Sequence, residues 1–153
     1  MSYEDKIKEQ AGTYMQPGER VLAAFIARPR GATQASMGGL AGNIIGGRKA
    51  TQQRQAAKDA GLQLASPMAL ALTDKRLLVL SISPPIAMGK GGDVKEFVSG
   101  ASLTDVESIE VKRLLVGKVV TVTVRGTPVK LEVGATGDAK GMADGLARAK
   151  SAA

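Results

Sequence analysis

A strict alternation of apolar and polar residues late in the chain constrains the fold more than any other feature. Residues 120–124 read VTVTV and residues 129–133 read VKLEV, with a glycine and a proline in the short link between them. Because successive side chains of a strand point to opposite faces, each segment predicts a strand that buries one face. The link predicts a tight turn, so the two segments form an antiparallel hairpin.

Similar short apolar segments, separated by Gly, Pro or Asp turns, run through most of the chain. The predicted strands are residues 21–27, 68–72, 76–82, 96–98, 106–111, 120–124 and 129–133. Six or seven short antiparallel strands predict a small β-barrel or sandwich.

Both ends of the chain show apolar residues at helical spacing. The N-terminal helix is predicted from Tyr3, Ile7, Ala11, Tyr14 and Met15, and the C-terminal helix from Ala139, Met142, Ala143, Leu146 and Ala147. Pro17 and Gly18 end the first helix, and Asp138 is the expected cap of the last. The predicted fold is therefore α+β, a small antiparallel barrel or sandwich closed by a C-terminal helix and preceded by an N-terminal helix.

Residues 31–67 differ in kind, because they are rich in Gly, Ala and Gln and poor in strong core formers. The composition favours a helix from Arg48 to Ala60, with Gly61 as its stop. The remainder predicts an excursion from the β fold, part loop and part helix.

The glycine-rich sequence at residues 36–51, SMGGLAGNIIGGRKAT, raises the question of a phosphate-binding loop. Such a loop needs a lysine directly after its last glycine and then a hydroxyl residue. Here Arg48 stands at the lysine position and Lys49 at the hydroxyl position. The spacing therefore argues against a nucleotide site.

Three interpretations of the same segment stay open. Gly38, Gly42 and Gly46 recur every four residues, which would give a helix a bare face for close packing against a partner. Glycine inside a helix costs ~1 kcal/mol, so a partner or a membrane would have to stabilise that helix. Alternatively, Leu40, Ile44 and Ile45 dip into a lipid headgroup region, or the segment is a mobile loop. These six residues are the predicted membrane- or partner-contacting set.

Composition excludes several classes of function. The 153 residues include no Cys and no His, which removes thiolate chemistry, the usual general base and the commonest metal ligands. We therefore expect no enzyme, no metal site and no cofactor. No apolar run is long enough to span a bilayer and the first residues are strongly charged, so we expect a cytoplasmic protein, with peripheral association at the inner membrane face as its site of action.

The net charge of +7 is concentrated in two segments. Residues 21–61 carry six basic groups and one acidic group, residues 111–133 carry five and one, and the acidic residues 62–110 lie between them. Such asymmetry predicts a surface for an anionic partner. The candidate binding residues are Arg48, Lys49, Arg54, Lys58, Lys112, Arg113 and Lys118. Nucleic acid is disfavoured because the basic segments contain no aromatic stacking platform and no recognition signature.

Several short motifs resemble the bacterial pleckstrin-homology-like (PH-like) domain family. They are PGERVL at residues 17–22, LTDKRLLVL at 72–80, LTDVESI at 103–109 and LLVG at 114–117, followed by the terminal helix. The resemblance covers residues 17–30 and 68–150. It implies one domain over residues 1–153, in which residues 1–16 are a helical extension and residues 31–67 depart from the family pattern.

The resemblance implies that the protein is a non-catalytic adaptor for lipids or proteins. Combined with the charge pattern, it predicts peripheral binding of anionic lipid headgroups through residues 37–58. The alternative is a protein-interaction or self-assembly module, including a homo-oligomer, that uses the glycine face.

Overall fold

The computed structural model describes residues 3–31, 39–86, 90–115, 117–134 and 138–151, and for residues 39–45 the backbone alone. Its elements are α1 (Tyr3–Gln10), a 3-10 turn (Ala11–Tyr14), β1 (Val21–Pro29), α2 (Gly39–Asp59), β2 (Met68–Thr73), β3 (Arg76–Ile82), β4 (Val94–Ser102), β5 (Val106–Arg113), β6 (Lys118–Val124), β7 (Thr127–Val133) and α3 (Ala139–Ser151).

The seven described strands form one antiparallel sheet in the order β4-β3-β2-β1-β7-β6-β5. β1 joins its two halves, since residues 21–27 pair with β2 and residues 27–29 pair with β7. The sheet is not closed, and of the described strands β4 and β5 are its two edges. The structure therefore confirms the predicted α+β fold, an antiparallel sheet with an N-terminal and a C-terminal helix, and the sheet is open rather than closed into a barrel.

An aliphatic core lies between the two halves of the sheet and the helices. Its largest fully buried side chains include Phe25, Met68, Leu70, Leu72, Leu77, Val79 and Leu131. The C-terminal helix α3 adds Ala139, Met142 and Leu146 to it. The Gly141 N–H donates to Asp138 Oδ1 at 3.0 Å, which confirms Asp138 as the cap of this helix.

A second apolar cluster explains the N-terminal helix. Ile7 of α1 and Ala11 of the 3-10 turn pack on the outer face of the first three strands, against Ala24, Leu78 and Leu80. Helix α1 therefore forms a further layer over the sheet. All six residues of β2, MALALT, are buried, as expected for a strand that is covered on both faces.

Helix α2 begins at Gly39, well before the predicted start at Arg48, and ends as predicted. Gly61 has a φ of +81°, the Leu62 N–H donates to the Ala57 carbonyl at 2.8 Å, and the Gly61 N–H donates to the Lys58 carbonyl at 3.0 Å. These bonds form the glycine-terminated cap that satisfies the last carbonyls of a helix. Ala57 and Leu62 also belong to the main core, so this part of the excursion is packed into the domain.

Close packing explains why a glycine-rich stretch is helical. Gly46 is buried, and its carbonyl oxygen lies so near Gly31 that a Cβ on Gly31 would be 2.5 Å from it. Gly31 has a φ of +102°, so both its conformation and its surroundings favour glycine. Contacts with the strands offset the low helix propensity of this sequence. The predicted start at Arg48 was based on propensity alone, so it came too late.

Candidate functional site

The four basic residues predicted on α2 are all exposed along one helix. They are Arg48, Lys49, Arg54 and Lys58. Within residues 46–59, where burial is described, the buried residues of the helix are Gly46, Ala50 and Ala57. With 3.6 residues per turn, Arg48 lies opposite the buried side, Arg54 and Lys58 lie on one flank of it, and Lys49 lies on the other flank. We call these four exposed cations, spread around the solvent side of the helix, the α2 basic face.

The middle of α2 contacts β7 on the edge that β1 does not cover. Strand β1 pairs with β7 only over residues 131–133, which leaves the Lys130 N–H without a strand partner. The side-chain oxygen of Gln53 accepts that N–H at 2.7 Å, and the Arg30 N–H donates to the Lys130 carbonyl at 3.0 Å. Helix α2 therefore contacts the part of β7 that does not pair with β1.

Arg125 fixes the C-terminal end of α2. Its Nη1 donates to the Ala60 carbonyl, and its Nη2 lies 2.9 Å from Asp105 Oδ2. Arg125 has a φ of +48° in the turn between β6 and β7. A guanidinium at a helix C-terminus also interacts favourably with the helix dipole. The helix that carries the α2 basic face is thus held at its middle by Gln53 and at its end by Arg125.

The other predicted basic residues lie in the β5–β6 hairpin. Arg113 and Lys118 are direct cross-strand partners at the end of the ladder. Lys112 lies on the opposite face of β5, across from Val119. All the predicted anion-binding residues are thus on the surface or partly exposed.

The structure groups these residues into two sets rather than one. Helix α2 packs against β7 and β1, whereas the hairpin belongs to β5 and β6, on the far side of β7 in the sheet order. Strand β5 is two strand spacings, roughly 10 Å, away from β7. The α2 basic face and the basic hairpin are therefore separate places on the surface.

The predicted apolar contact residues fall at the start of α2. The backbone of Leu40, Gly42, Ile44 and Ile45 is helical, and Gly38 lies outside the described residues. Gly46 is buried against Gly31, inside the fold. A role for this set in contacting a membrane or partner stays a prediction.

Sequence reasoning missed a buried cluster that joins two of the family-like motifs. The Glu19 carboxylate accepts hydrogen bonds from Arg76 Nε at 2.9 Å, Arg76 Nη2 at 3.1 Å, Thr73 Oγ1 at 2.6 Å and the Gln16 N–H at 2.9 Å. The Glu19 side chain is 0% exposed. We call these four residues the Glu19 cluster. It ties the turn before β1 to the turn between β2 and β3.

The partners of Glu19 control its ionisation. Burial alone would raise the pKa of this carboxyl, but hydrogen bonds from Arg76, Thr73 and the Gln16 N–H outweigh it and lower the pKa from 4.5 to about 2. Glu19 is therefore ionised at neutral pH with its oxygens fully engaged. Both motifs were visible in the sequence, but nothing in either one showed that they contact each other.

A cavity of about 310 Å³ lies beside the Glu19 cluster and is lined by Gln16, Lys75, Arg76, Phe97, Gly100, Ala101 and Ser102. Arg76 lies over the Phe97 ring at 5.6 Å and is already bonded to Glu19 and to the Tyr14 carbonyl. Because its charge is compensated, Arg76 does not make this cavity an anion site.

Among the residues that the structure describes, no group of three or more acidic side chains is placed to hold a metal ion. None of the helices in the described part of the chain combines the length and apolarity needed to cross a bilayer.

No protein-family model matches the chain, and no curated protein matches it. Among solved structures, it is similar to a DUF1696 family protein with a pleckstrin-homology domain from Shewanella loihica PV-4. The two chains are 15% identical and superpose with a TM-score of 0.48, over 94% of this chain and 90% of that one.

Proposed function

We propose that the protein is a non-catalytic binding module of the bacterial PH-like kind that associates peripherally with anionic lipid headgroups. The observation that carries this proposal is the α2 basic face. It consists of four exposed cations, Arg48, Lys49, Arg54 and Lys58, on a helix that is anchored by its opposite side.

The energetics of such a surface favour weak, reversible binding. A Lys or Arg near an anionic membrane surface contributes about 1 kcal/mol, and the contribution is screened by salt. Because Gln53 and Arg125 already hold the helix, little conformational entropy is lost on binding. A cytoplasmic protein would meet such lipids at the inner face of the membrane, which is where we place its action.

A binding role also suits the ionisable groups of the molecule. The chain has no His or Cys, and the strongly lowered pKa of Glu19 belongs to a buried ion pair. A carboxylate bonded on both oxygens by its own chain stabilises the fold, and it is poorly placed to transfer protons to a substrate.

Co-sedimentation with vesicles tests the proposal. We expect binding to phosphatidylcholine vesicles that contain phosphatidylglycerol, weakening as salt is raised, and little binding to phosphatidylcholine alone. The variant R48E/K58E should lose this binding. The matched control K140E/R148E reverses two exposed charges of α3 and lowers the net charge equally, so it should retain most of the binding. Equal losses in both variants, or no binding of the native chain at low salt, would refute the proposal.

The alternative is a protein-interaction or self-assembly module that uses the face of Gly38, Gly42 and Gly46. Gly46 is buried against Gly31, so the remainder of that face would have to make the contact. Light scattering tests it. An oligomer that G42L dissociates would support this function, and a monomer at all concentrations would exclude it.

A further inference from the structure

The β5–β6 hairpin carries most of the large apolar surface that the described residues expose. Their exposed large apolar side chains are Ile86, Phe97, Val111, Leu114 and Leu115. Three of these five belong to the hairpin, and Leu114 and Leu115 are adjacent at its turn. Leu115 is 106% exposed, as much as in an extended chain, and Leu114 is 38% exposed. Single exposed leucines are ordinary on a surface, but a group at one tip indicates a contact site.

Cations surround this apolar tip. Arg113 and Lys118 face each other across the last rung of the ladder, and Lys112 lies on the other face of β5. Like charges directly opposite each other weaken an antiparallel pair, so folding alone does not favour this arrangement. Three cations close to two exposed leucines favour an anionic surface that also accepts apolar side chains.

The described residues on either side of position 116 are joined by a backbone hydrogen bond. The Leu114 N–H donates to the Gly117 carbonyl at 3.1 Å. Gly117 has a φ of +76°, and a Cβ there would lie 2.8 Å from the carbonyl oxygen of Val133 at the end of β7. Gly117, two residues after Leu115, is therefore packed against the end of β7.

We propose that this hairpin is a second membrane contact, which inserts Leu114 and Leu115 into the interfacial region of an anionic bilayer. Lys112, Arg113 and Lys118 would then meet lipid phosphates around the inserted leucines. The inference rests on the proposed function, since it takes the same anionic bilayer as the partner. Charge complementarity and the convex shape of a hairpin tip fit a deformable lipid surface.

The two contacts differ in physical character. Attraction of the α2 basic face to lipid is electrostatic and is screened by salt, whereas transfer of leucine side chains into the interface depends on apolar area. Insertion should therefore persist at salt concentrations that remove the contribution of α2.

Tryptophan fluorescence tests insertion directly, because the chain contains no Trp. The variant L115W places the probe at the tip, and T104W places it in the exposed turn before β5, at the opposite end of the same strand. With phosphatidylglycerol-containing vesicles, L115W emission should shift to shorter wavelength and be quenched by brominated acyl chains. T104W emission should do neither.

A second pair of variants separates this inference from the proposed function. L114S/L115S should weaken vesicle binding about tenfold at low and high salt alike, whereas the loss from R48E/K58E should be confined to low salt. Vesicle-bound L115W with unshifted, unquenched emission would overturn insertion and leave the α2 proposal standing.

Other outcomes also decide the matter. A native chain that does not sediment with vesicles would overturn both proposals. A shifted L115W emission without vesicles, together with a doubled mass in light scattering, would show that a second copy of the chain covers the tip, and would likewise overturn insertion.

Discussion

The Glu19 cluster and the α2 basic face use charge in opposite ways. Glu19 is buried, Arg76 is partly buried, and the two bond to each other. Arg48 and Lys58 are instead exposed on a helix that other residues, Gln53 and Arg125, hold in place. The motifs that make the chain resemble PH-like domains, around residues 17–22 and 72–80, form the first kind of site. The segment that departs from the family pattern provides the second. The recognisable motifs therefore contribute to the stability of the fold, and the proposed binding surface lies outside them.

Removing the charge of Glu19 tests most strongly whether the Glu19 cluster stabilises the fold. We expect E19Q to lower the free energy of unfolding by about 3 kcal/mol, because Arg76 would keep a partly buried charge without its carboxylate. Urea denaturation measures the loss. The control E96Q removes an exposed carboxylate of β4 and should change stability little. Similar unfolding midpoints for E19Q and E96Q would show that the cluster does not hold the fold.

The same carboxylate should make stability depend on pH. Its pKa is about 2 in the folded chain and near 4.5 when unfolded, so the unfolded chain binds more protons between these values. The stabilisation is complete above about pH 4.5 and is lost as the pH falls towards 2, by on the order of 3 kcal/mol. Urea unfolding at a series of pH values should show the native chain converging on E19Q in acid. Parallel curves would contradict the lowered pKa.

Arg125 lies between the two kinds of site, since it uses its charge to hold the helix that carries the basic face. We expect R125A to cost about 2 kcal/mol through loss of its bonds to Ala60 and Asp105. R125G loses the same bonds but relieves the φ of +48°, so it should be roughly 1 kcal/mol more stable than R125A. Urea denaturation of both variants checks the order. Hydrogen exchange should quicken at the end of α2 in each.

The smallest effect is expected at the basic hairpin, and with the opposite sign. In R113E a glutamate would lie directly across the ladder from Lys118, so two opposite charges would replace two like charges. We expect this change to stabilise the fold by a few tenths of a kcal/mol. The same change should weaken vesicle binding. Thermal unfolding and co-sedimentation of one preparation would measure both. A less stable R113E would mean that Arg113 serves the fold.

The sequence predicted the repeating, local features well. Alternation located β6 and β7, helical spacing located α3, and Asp138 and Gly61 were recognised as helix ends because each acts within a few residues. What it missed depends on distant contacts. Helix α2 packs against Gly31 and β7, which lie far from it or beyond a turn in the sequence, and Glu19 meets Arg76 across many residues.

The candidate site was predicted less completely for the same reason. Charge counting identified the basic residues, but only strand order shows that they form two separate sets. The exposure of Leu114 and Leu115 has no local signal, since a Leu-Leu pair in a β protein usually predicts core.

The position of α2 also affects how the sheet assembles. β1 and β2 are paired neighbours, yet residues 30–67 separate them along the chain. Closing a flexible loop of that size costs entropy, and non-local pairing slows folding. If α2 formed early, it would shorten the flexible chain between β1 and β2. Its glycines make it unstable as an isolated helix, however, so we expect it to form only when it can pack against β7. We therefore expect the C-terminal hairpins to form first and the pairing of β1 with β2 to limit the folding rate. The segment that carries the α2 basic face would then also determine how fast the sheet is completed.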